Sequence, residues 1–321
     1  MPLTGIRVAG LLAALALAGV ASAQYPSKPI RYIVSFPPGG IADISARVIA
    51  PKLAAALGQP VLVEQRVGAG GNIGAEAVAR AEPDGYTLLS ATPPVAIAQS
   101  MYRKLSFSPR RDLAPVALIG DVPNILVVGA NSPAKTLKEL IELARRNPGK
   151  LNYSSLGAGT SVHLAAELLK YQAKVFIVHI PYRGAPQAMV ALLAGEVDMM
   201  MDALPPSIAQ VRAGRTRALA VTSARRAPQL PDVPTVAESG FPGFEVTGWV
   251  GISTTAGTPP ETLARLEAEI AKAVANPEVA SLLERQGMAL RFLGAKEFGA
   301  FLDAEIEKFA VAVKYSGAAV D

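Results

Sequence analysis

The sequence predicts an α/β protein in which mostly parallel sheets are flanked by helices. Three observations carry this expectation. Apolar runs of strand length alternate with helix-period segments along nearly the whole chain, and βαβα order favours parallel sheets covered by helices. The alternation comes as two series, and 321 residues is about two domains' worth of chain. There is no cysteine, so the fold must stand on a buried apolar core, and thiolate catalysis and cysteine-ligated metals are excluded.

The elements follow in order. IRYIVS (Ile30–Ser35) reads as a buried strand, followed by a Pro-Gly loop and a helix from about Ile41 to Leu57. Ile44, Val48, Ile49, Leu53 and Leu57 share one face of that helix. Pro51 lies inside it and predicts a kink or an early end, because proline has no N–H to donate. Val61–Glu64 is a strand, Asn72–Ala81 a helix and Tyr86–Ala91 a strand. The second series runs through strands at Asn124–Val128, Leu151–Ser154, Phe176–Ile180, Val197–Met201 and Arg217–Thr222. Its helices are Thr136–Arg146, stopped by Asn147-Pro148-Gly149, then Ser161–Tyr171, Ala185–Ala194 and Leu204–Ala213. A Pro-rich bridge (Ala227–Gly243) leads to a long strand-like run, Val246–Thr255. Helices are predicted over Pro259–Ala275, Glu278–Gln286 and Ala295–Tyr315.

Residues 1–23 read as an export signal. Arg7 is followed by the apolar run VAGLLAALALAGV and by Ala21-Ser22-Ala23, an A-x-A cleavage site ahead of Gln24. The run is shorter than the roughly 20 residues a membrane-spanning helix needs, so the expectation is cleavage after Ala23 and a soluble periplasmic chain. The formal charge is +5, and the basic pairs Arg110-Arg111, Arg145-Arg146 and Arg225-Arg226 are scattered. Nucleic acid would call for basic residues clustered on one face, so no nucleic-acid partner is expected. The modest positive field suits an anionic small molecule, and simple solubility explains it as well.

Three strand-to-helix loops have the chemistry to hold a ligand, because helix starts offer unpaired N–H groups and a partial positive charge. In the first, Ser35 to Asp43, two prolines stiffen the loop, and Gly39 and Gly40 allow a ligand close to the backbone. Asp43 in the first helical turn is either a capping residue or a ligand contact, and Phe36 either a pocket wall or core. The second, Ser154 to His163, sets glycines before two hydroxyls, a cradle for an oxyanion. Thr160 and Ser161 are equally suited to N-capping, and His163 to supporting the cap or touching ligand. The third, Pro181-Tyr182-Arg183-Gly184, places a tyrosine edge, an arginine and a glycine N–H beyond a strand. Asp202 stands at an equivalent strand end.

Other chemistries fit less well. Gly68–Gly74 approaches a dinucleotide fingerprint, but Ile73 stands where the third glycine belongs, and the next strand runs into Thr92-Pro93 without an acidic residue. No G-x-S-x-G elbow exists. His163 and His179 are the only histidines, so a metal cluster is not expected, nor is a cofactor. A hydrolase would need one of these two as its base.

Taken together, the motifs resemble the substrate-binding receptors of tripartite tricarboxylate transporters, the Bug receptors. The resemblance runs from YPSKPI (Tyr25–Ile30) through FPPGG (Phe36–Gly40) and GAGGNIGAEAVARAEPDGYTLL (Gly68–Leu89). It continues through KLNYSSLGAGTSVHLAAELL (Lys150–Leu169), PYRGAPQA (Pro181–Ala188) and RALAVTSARRAPQLPDVPTVAESGFPGFE (Arg217–Glu245) to YSGAAVD (Tyr315–Asp321). It implies a two-lobe Venus-flytrap fold: residues 24–123 and 246–321 form one lobe, residues 124–245 the other, and the chain crosses near Pro123–Asn124 and Glu245–Val246. It implies a small carboxylate held in the cleft without chemistry, and delivery to two membrane permease subunits by a monomeric receptor. A receptor for a sensor kinase and an extracytoplasmic hydrolase are the alternatives. Carried over by position, the implied ligand contacts are Phe36, Pro38, Gly39, Gly40, Thr92, Ser155, Gly159, Thr160, Ser161, His163, Tyr182 and Asp202; Ile41, Asp43 and Arg183 complete the candidates. Two positions depart from the family pattern. Ile41 replaces a small hydroxyl residue and Ala203 replaces asparagine, which predicts a ligand with an apolar or aromatic body.

Overall fold

The computed structural model describes residues 25–316; the expected signal segment and most of the YSGAAVD motif lie outside them. Two sheets organise the chain. The first six-stranded sheet begins with β1 (Ile30–Val34), β2 (Val61–Gln65) and β3 (Thr87–Ala91), paired in parallel around β1. The ten-residue β4 (Leu113–Val122) belongs to it, as do β10 (Gly248–Thr255) and β11 (Ala289–Gly294), giving the order β11-β4-β10-β3-β1-β2. The second sheet collects β5 (Asn124–Gly129), β6 (Asn152–Ser155), β7 (Val178–Pro181), β8 (Met199–Ala203) and β9 (Thr216–Val221) in the order β7-β6-β8-β5-β9.

Both sheets are mixed rather than mostly parallel. β10 inserts antiparallel between β3 and β4, and β5 is antiparallel to both of its neighbours. The physical reason is the route of the chain. β4 and β5 follow each other head to tail across the single residue Pro123, which has no N–H to continue a ladder. The chain thus passes directly from one sheet to the other and returns through β10, all eight of whose residues are buried.

Helices cover the faces. On one side of the first sheet α1 (Ile41–Leu57) packs with α9 (Pro260–Ala275) and α10 (Pro277–Arg285) over Ile30, Tyr32 and Val34. α1 runs unbroken through Pro51 to Leu57, without the early end its sequence allows. Pro51 is exposed, so the carbonyl it leaves unpaired faces solvent instead of the core. On the other side lie α2 (Asn72–Ala79), α3 (Pro93–Met101) and the long α11 (Ala295–Ser316). Trp249 of β10 packs edge-on against Phe298 and Phe301 of α11, and its indole N–H donates to Glu305 at 3.0 Å. A short helix, α4 (Pro109–Asp112), leads into β4.

The second sheet carries α5 (Leu137–Arg146), α6 (Ser161–Ala173), α7 (Ala185–Ala194) and α8 (Leu204–Arg212). α11 also contacts α6, so one apolar core runs from Phe298 and Phe309 to Val162 and Leu126. Each such fully buried side chain stabilises the fold by about 1.5–3 kcal/mol relative to exposure, so the C-terminal helix fastens the two lobes together at one end.

Two crossings join the sheets, and hydrogen bonds tie them to each other. Asn124 Nδ2 donates to the Val246 carbonyl at 2.9 Å, and Thr222 Oγ1 donates to the same carbonyl at 2.6 Å. The Asn124 N–H donates to Thr222 Oγ1 at 3.2 Å.

Candidate functional site

Between the sheets a partly open cavity of about 70 Å³ lies where helix starts converge. α1 contributes Gly40, Ile41 and Ala42; α3 contributes Thr92, Pro93 and Pro94; α6 contributes Thr160, Ser161 and Val162; α7 contributes Gly184, Ala185 and Pro186. Prolines at the starts of α3, α7 and α8 remove donors there. Backbone N–H groups for an anion therefore come chiefly from α1 and α6, and the hydroxyls of Thr160 and Ser161 add to the second. No charged side chain lines the cavity; its polar side chains are Thr92, Asn124, Thr160, Ser161 and Trp249. The rest of the wall is apolar, with Phe36, Ile41, Val122, Leu156 and Ala203 prominent.

The two loops that frame it are built differently. After β1 the helix has Gly40 as N-cap with no side-chain cap. Asp43 reaches back instead: its carboxylate accepts from the Gly39 N–H at 3.1 Å, from Arg47 Nε at 2.9 Å and from Gln65 Nε2 at 2.8 Å. All three bonds lie inside the lobe, and Asp43 does not line the cavity. Gly39 is exposed at φ 89°, with nothing within 4 Å of where a Cβ would stand. Its left-handed φ is what calls for glycine at this turn, and it does not line the cavity. Pro38 is likewise exposed and does not line the cavity.

After β6, Thr160 caps α6: its Oγ1 accepts from the His163 N–H at 3.3 Å and donates to the Gly157 carbonyl at 2.8 Å. Ser161 Oγ faces Asn124 Oδ1 at 3.5 Å. Behind this loop stands a column of rings, Tyr153 on His179 (4.7 Å between centroids) and His179 on His163 (4.2 Å). Ser155 Oγ lies 2.7 Å from His179 Nε2, and His163 Nδ1 accepts from the Gly159 N–H at 3.3 Å. Ser155, Gly159 and His163 thus shape the loop from beneath and do not line the cavity. Burial holds the His163 imidazole down at about 4 and His179 at about 3, so both are neutral bases in the folded chain near neutral pH.

Asp202 is fully buried. Its Oδ1 accepts from the Ala203 N–H at 2.8 Å and its Oδ2 from Ser207 Oγ at 2.7 Å. Alternation along β8 turns Asp202 into the core and presents Ala203 to the cleft. Burial pushes the Asp202 carboxyl up to about 7. Tyr182 and Arg183 line a neighbouring hollow rather than the cavity itself.

Of the sequence candidates, the cavity therefore brings together Phe36, Gly40, Ile41, Thr92, Thr160 and Ser161, with both departures, Ile41 and Ala203, in its wall. Sequence reasoning missed Asn124, Trp249 and Val122. The signal available was the chain crossing itself, because the segments that cross between lobes border whatever the lobes enclose.

The tripartite tricarboxylate transporter family receptor model matches residues 45–317. The chain belongs to that family. Among relatives of this receptor family, it is 44% identical over 286 residues to the UPF0065 protein in the tcbD-tcbE intergenic region of Pseudomonas sp. (strain P51), covering 87% of this chain and 85% of the relative. It is 36% identical over 317 residues to Protein BugT of Bordetella pertussis, covering 98% and 97%. Among solved structures, an R. palustris protein with adipate superposes with a TM-score of 0.88 at 33% identity, covering 91% of this chain and 98% of that one. MatC from Rhodopseudomonas palustris with bound malate superposes with a TM-score of 0.85 at 32% identity, covering 90% and 100%. The two-lobe α/β architecture is thus that of the family's receptors.

Proposed function

We propose that the chain is a periplasmic receptor that captures a small organic acid in the interlobe cavity, performs no chemistry on it, and hands it to a membrane permease pair. The observation that carries the reading is the convergence of helix starts on an uncharged, mostly apolar cavity, with the Thr160 and Ser161 hydroxyls at one of them. A carboxylate is the anion that such neutral donors hold best when the rest of the ligand is apolar. The adipate and malate structures of related proteins support an acid as the ligand class. Ile41 and Ala203 in the wall favour an acid with an aliphatic or aromatic body over a compact hydroxy acid. Residues 1–23 are read as the export signal, and the lobes as residues 24–123 with 246–321 and residues 124–245. A ligand touching Ile41 on one lobe and Thr160 on the other favours the closed state by its contacts to both. That closed form is what a permease would recognise.

The test is a thermal-shift screen of the mature chain over carboxylic acids. An acid at a hundredfold excess over its Kd should stabilise the chain by about 2.7 kcal/mol, seen as a higher Tm. Apolar and aromatic acids should shift it most. A screen in which only citrate or malate stabilises would refute the apolar-body reading, and one with no stabilising acid would refute the acid reading.

A further inference from the structure

Besides the crossings and the C-terminal helix, the lobes touch along a seam made largely of backbone. Gly70, in the loop after β2, lies so close to the second lobe that a Cβ there would overlap the Ala158 carbonyl oxygen. The same Cβ would stand 3.0 Å from the Tyr102 hydroxyl. Gly159, just before α6, faces the Tyr102 ring, with Cε2 3.4 Å from where a Cβ would be. Gly184, just before α7, faces the ring of Pro37 in the β1 loop, 2.8 Å from a Cβ position.

Tyr102 ties the seam together. It follows α3 on the first lobe, and its hydroxyl donates to the Ala69 carbonyl at 3.2 Å. That hydroxyl also reaches the Ala158 carbonyl on the second lobe, at 3.5 Å. Ala158 is thus approached from the first lobe by both a peptide unit and a phenol. These are contacts of protein with protein, and neither Gly70 nor Tyr102 lines the cavity.

Contacts that exist only while the lobes are together stabilise the closed arrangement whatever the cavity holds. They also raise the apparent affinity of any ligand that needs that arrangement, because the apparent Kd is the intrinsic one divided by the fraction of competent protein. We propose that the seam through Gly70, Tyr102 and Ala158 is a latch that favours closure independently of the ligand. It sets the strength of binding from outside the cavity, whereas the cavity wall sets which ligand is preferred. A substitution in the latch therefore weakens all ligands by a common factor, and one in the wall changes their ranking.

The test compares Gly70→Ala with Gly58→Ala in the mature chain. The two glycines share a left-handed backbone, φ 63° and ψ 17° against φ 70° and ψ 13°, so alanine strains both alike. Gly58 ends α1 with nothing within 4 Å of a Cβ, so only the Gly70 variant meets the other lobe. In small-angle X-ray scattering without ligand, Gly70→Ala should show a larger radius of gyration than the wild type, and Gly58→Ala should match the wild type. In isothermal titration, octanoate and benzoate should each bind Gly70→Ala about tenfold more weakly, with the ratio of their affinities unchanged. Tyr102→Phe should weaken both acids by a smaller common factor. The latch is overturned if Gly70→Ala scatters like the wild type, if Gly58→Ala expands equally, or if either seam variant changes the octanoate-to-benzoate ratio severalfold. The titration rests on reading the cavity as an acid site. If neither acid binds the wild type, that reading fails, and the scattering comparison still decides the latch.

Discussion

The loops after β1 and β6 occupy matching places on the two lobes and meet at the same cavity, yet they are finished in opposite ways. The β1 loop is capped from inside by Asp43, which uses its oxygens on Gly39, Arg47 and Gln65, and it offers the cavity Phe36, Gly40 and Ile41. The β6 loop is capped by Thr160 and rests on the buried His163 and half-buried His179, and it offers the cavity two hydroxyls. The difference teaches a division of labour. One lobe presents a wall whose shape is fixed by an internal carboxylate; the other adds hydroxyls to its helix start.

The largest expected effect breaks the comparison through pH, because the β6 side of the cleft holds buried titratable groups. Burial depresses His163 from 6.5 to about 4 and His179 from 6.5 to about 3. The stability they contribute is complete above pH 6.5 and is lost as pH falls through these lowered values, because the unfolded chain takes up protons first. Asp202 acts in the opposite sense. Burial raises it from 3.8 to about 7, so its contribution is complete below 3.8 and is lost as pH rises through about 7. In the wild type the two slopes oppose each other between these limits. Asp202→Asn should expose the histidine slope, a loss on the order of 3 kcal/mol per histidine from neutral pH to about pH 4 in urea denaturation. An acid slope no steeper than that of the wild type would sink this assignment.

Next in size, Thr160→Ala removes the only side-chain cap of α6 and should cost about 1 kcal/mol of stability, read as a lower denaturation midpoint. It should also weaken acid binding, whereas Thr160→Ser should keep most of both. Equal behaviour of the two variants would argue that the hydroxyl neither caps nor grips. The smallest effect sharpens the wall side. Ile41→Ser should leave stability within about 1 kcal/mol, since Ile41 is only half-buried, and should shift selectivity by about fivefold from octanoate towards malate. Unaltered selectivity would remove Ile41 from the recognition wall.

Much of the fold was legible because its strands are short apolar runs set between helix signals, such as Thr136 capping α5 and Gly195 ending α7. Four elements were not, and the shortest of them, α4 (Pro109–Asp112), is a single turn with no period to read. β4 contains Pro115, Gly120 and Asp121, which break the look of a strand. α3 is buried on nearly all sides and so has no polar face to give it a period. β11 is an edge strand with an exposed, Arg291-bearing sequence. Missing β4 hid the mixed character of the first sheet, since β10 and β11 both pair with it. The cavity was legible to the same degree. Loops that a motif marks, around Ile41 and Thr160, could be named from sequence. Asn124 and Trp249 reach the cavity only because distant strands cross beside it, and no local pattern encodes that. Asp202 and Gly39 fall outside the cavity for a related reason: a position in a motif does not fix which way a strand or turn points its side chain.

The clasp between the two crossings has a practical consequence. Asn124 both lines the cavity and fastens one crossing to Val246, so a substitution there would change affinity and lobe mechanics together and could not be read as either. For anyone converting this receptor into an optical sensor, it is the position to leave alone. The sequence has no cysteine, and Pro38 and Gln187 are exposed on opposite lobes next to the cleft. Single thiols introduced at those two sites would carry dyes without competing chemistry, and would report lobe movement while the clasp stays intact.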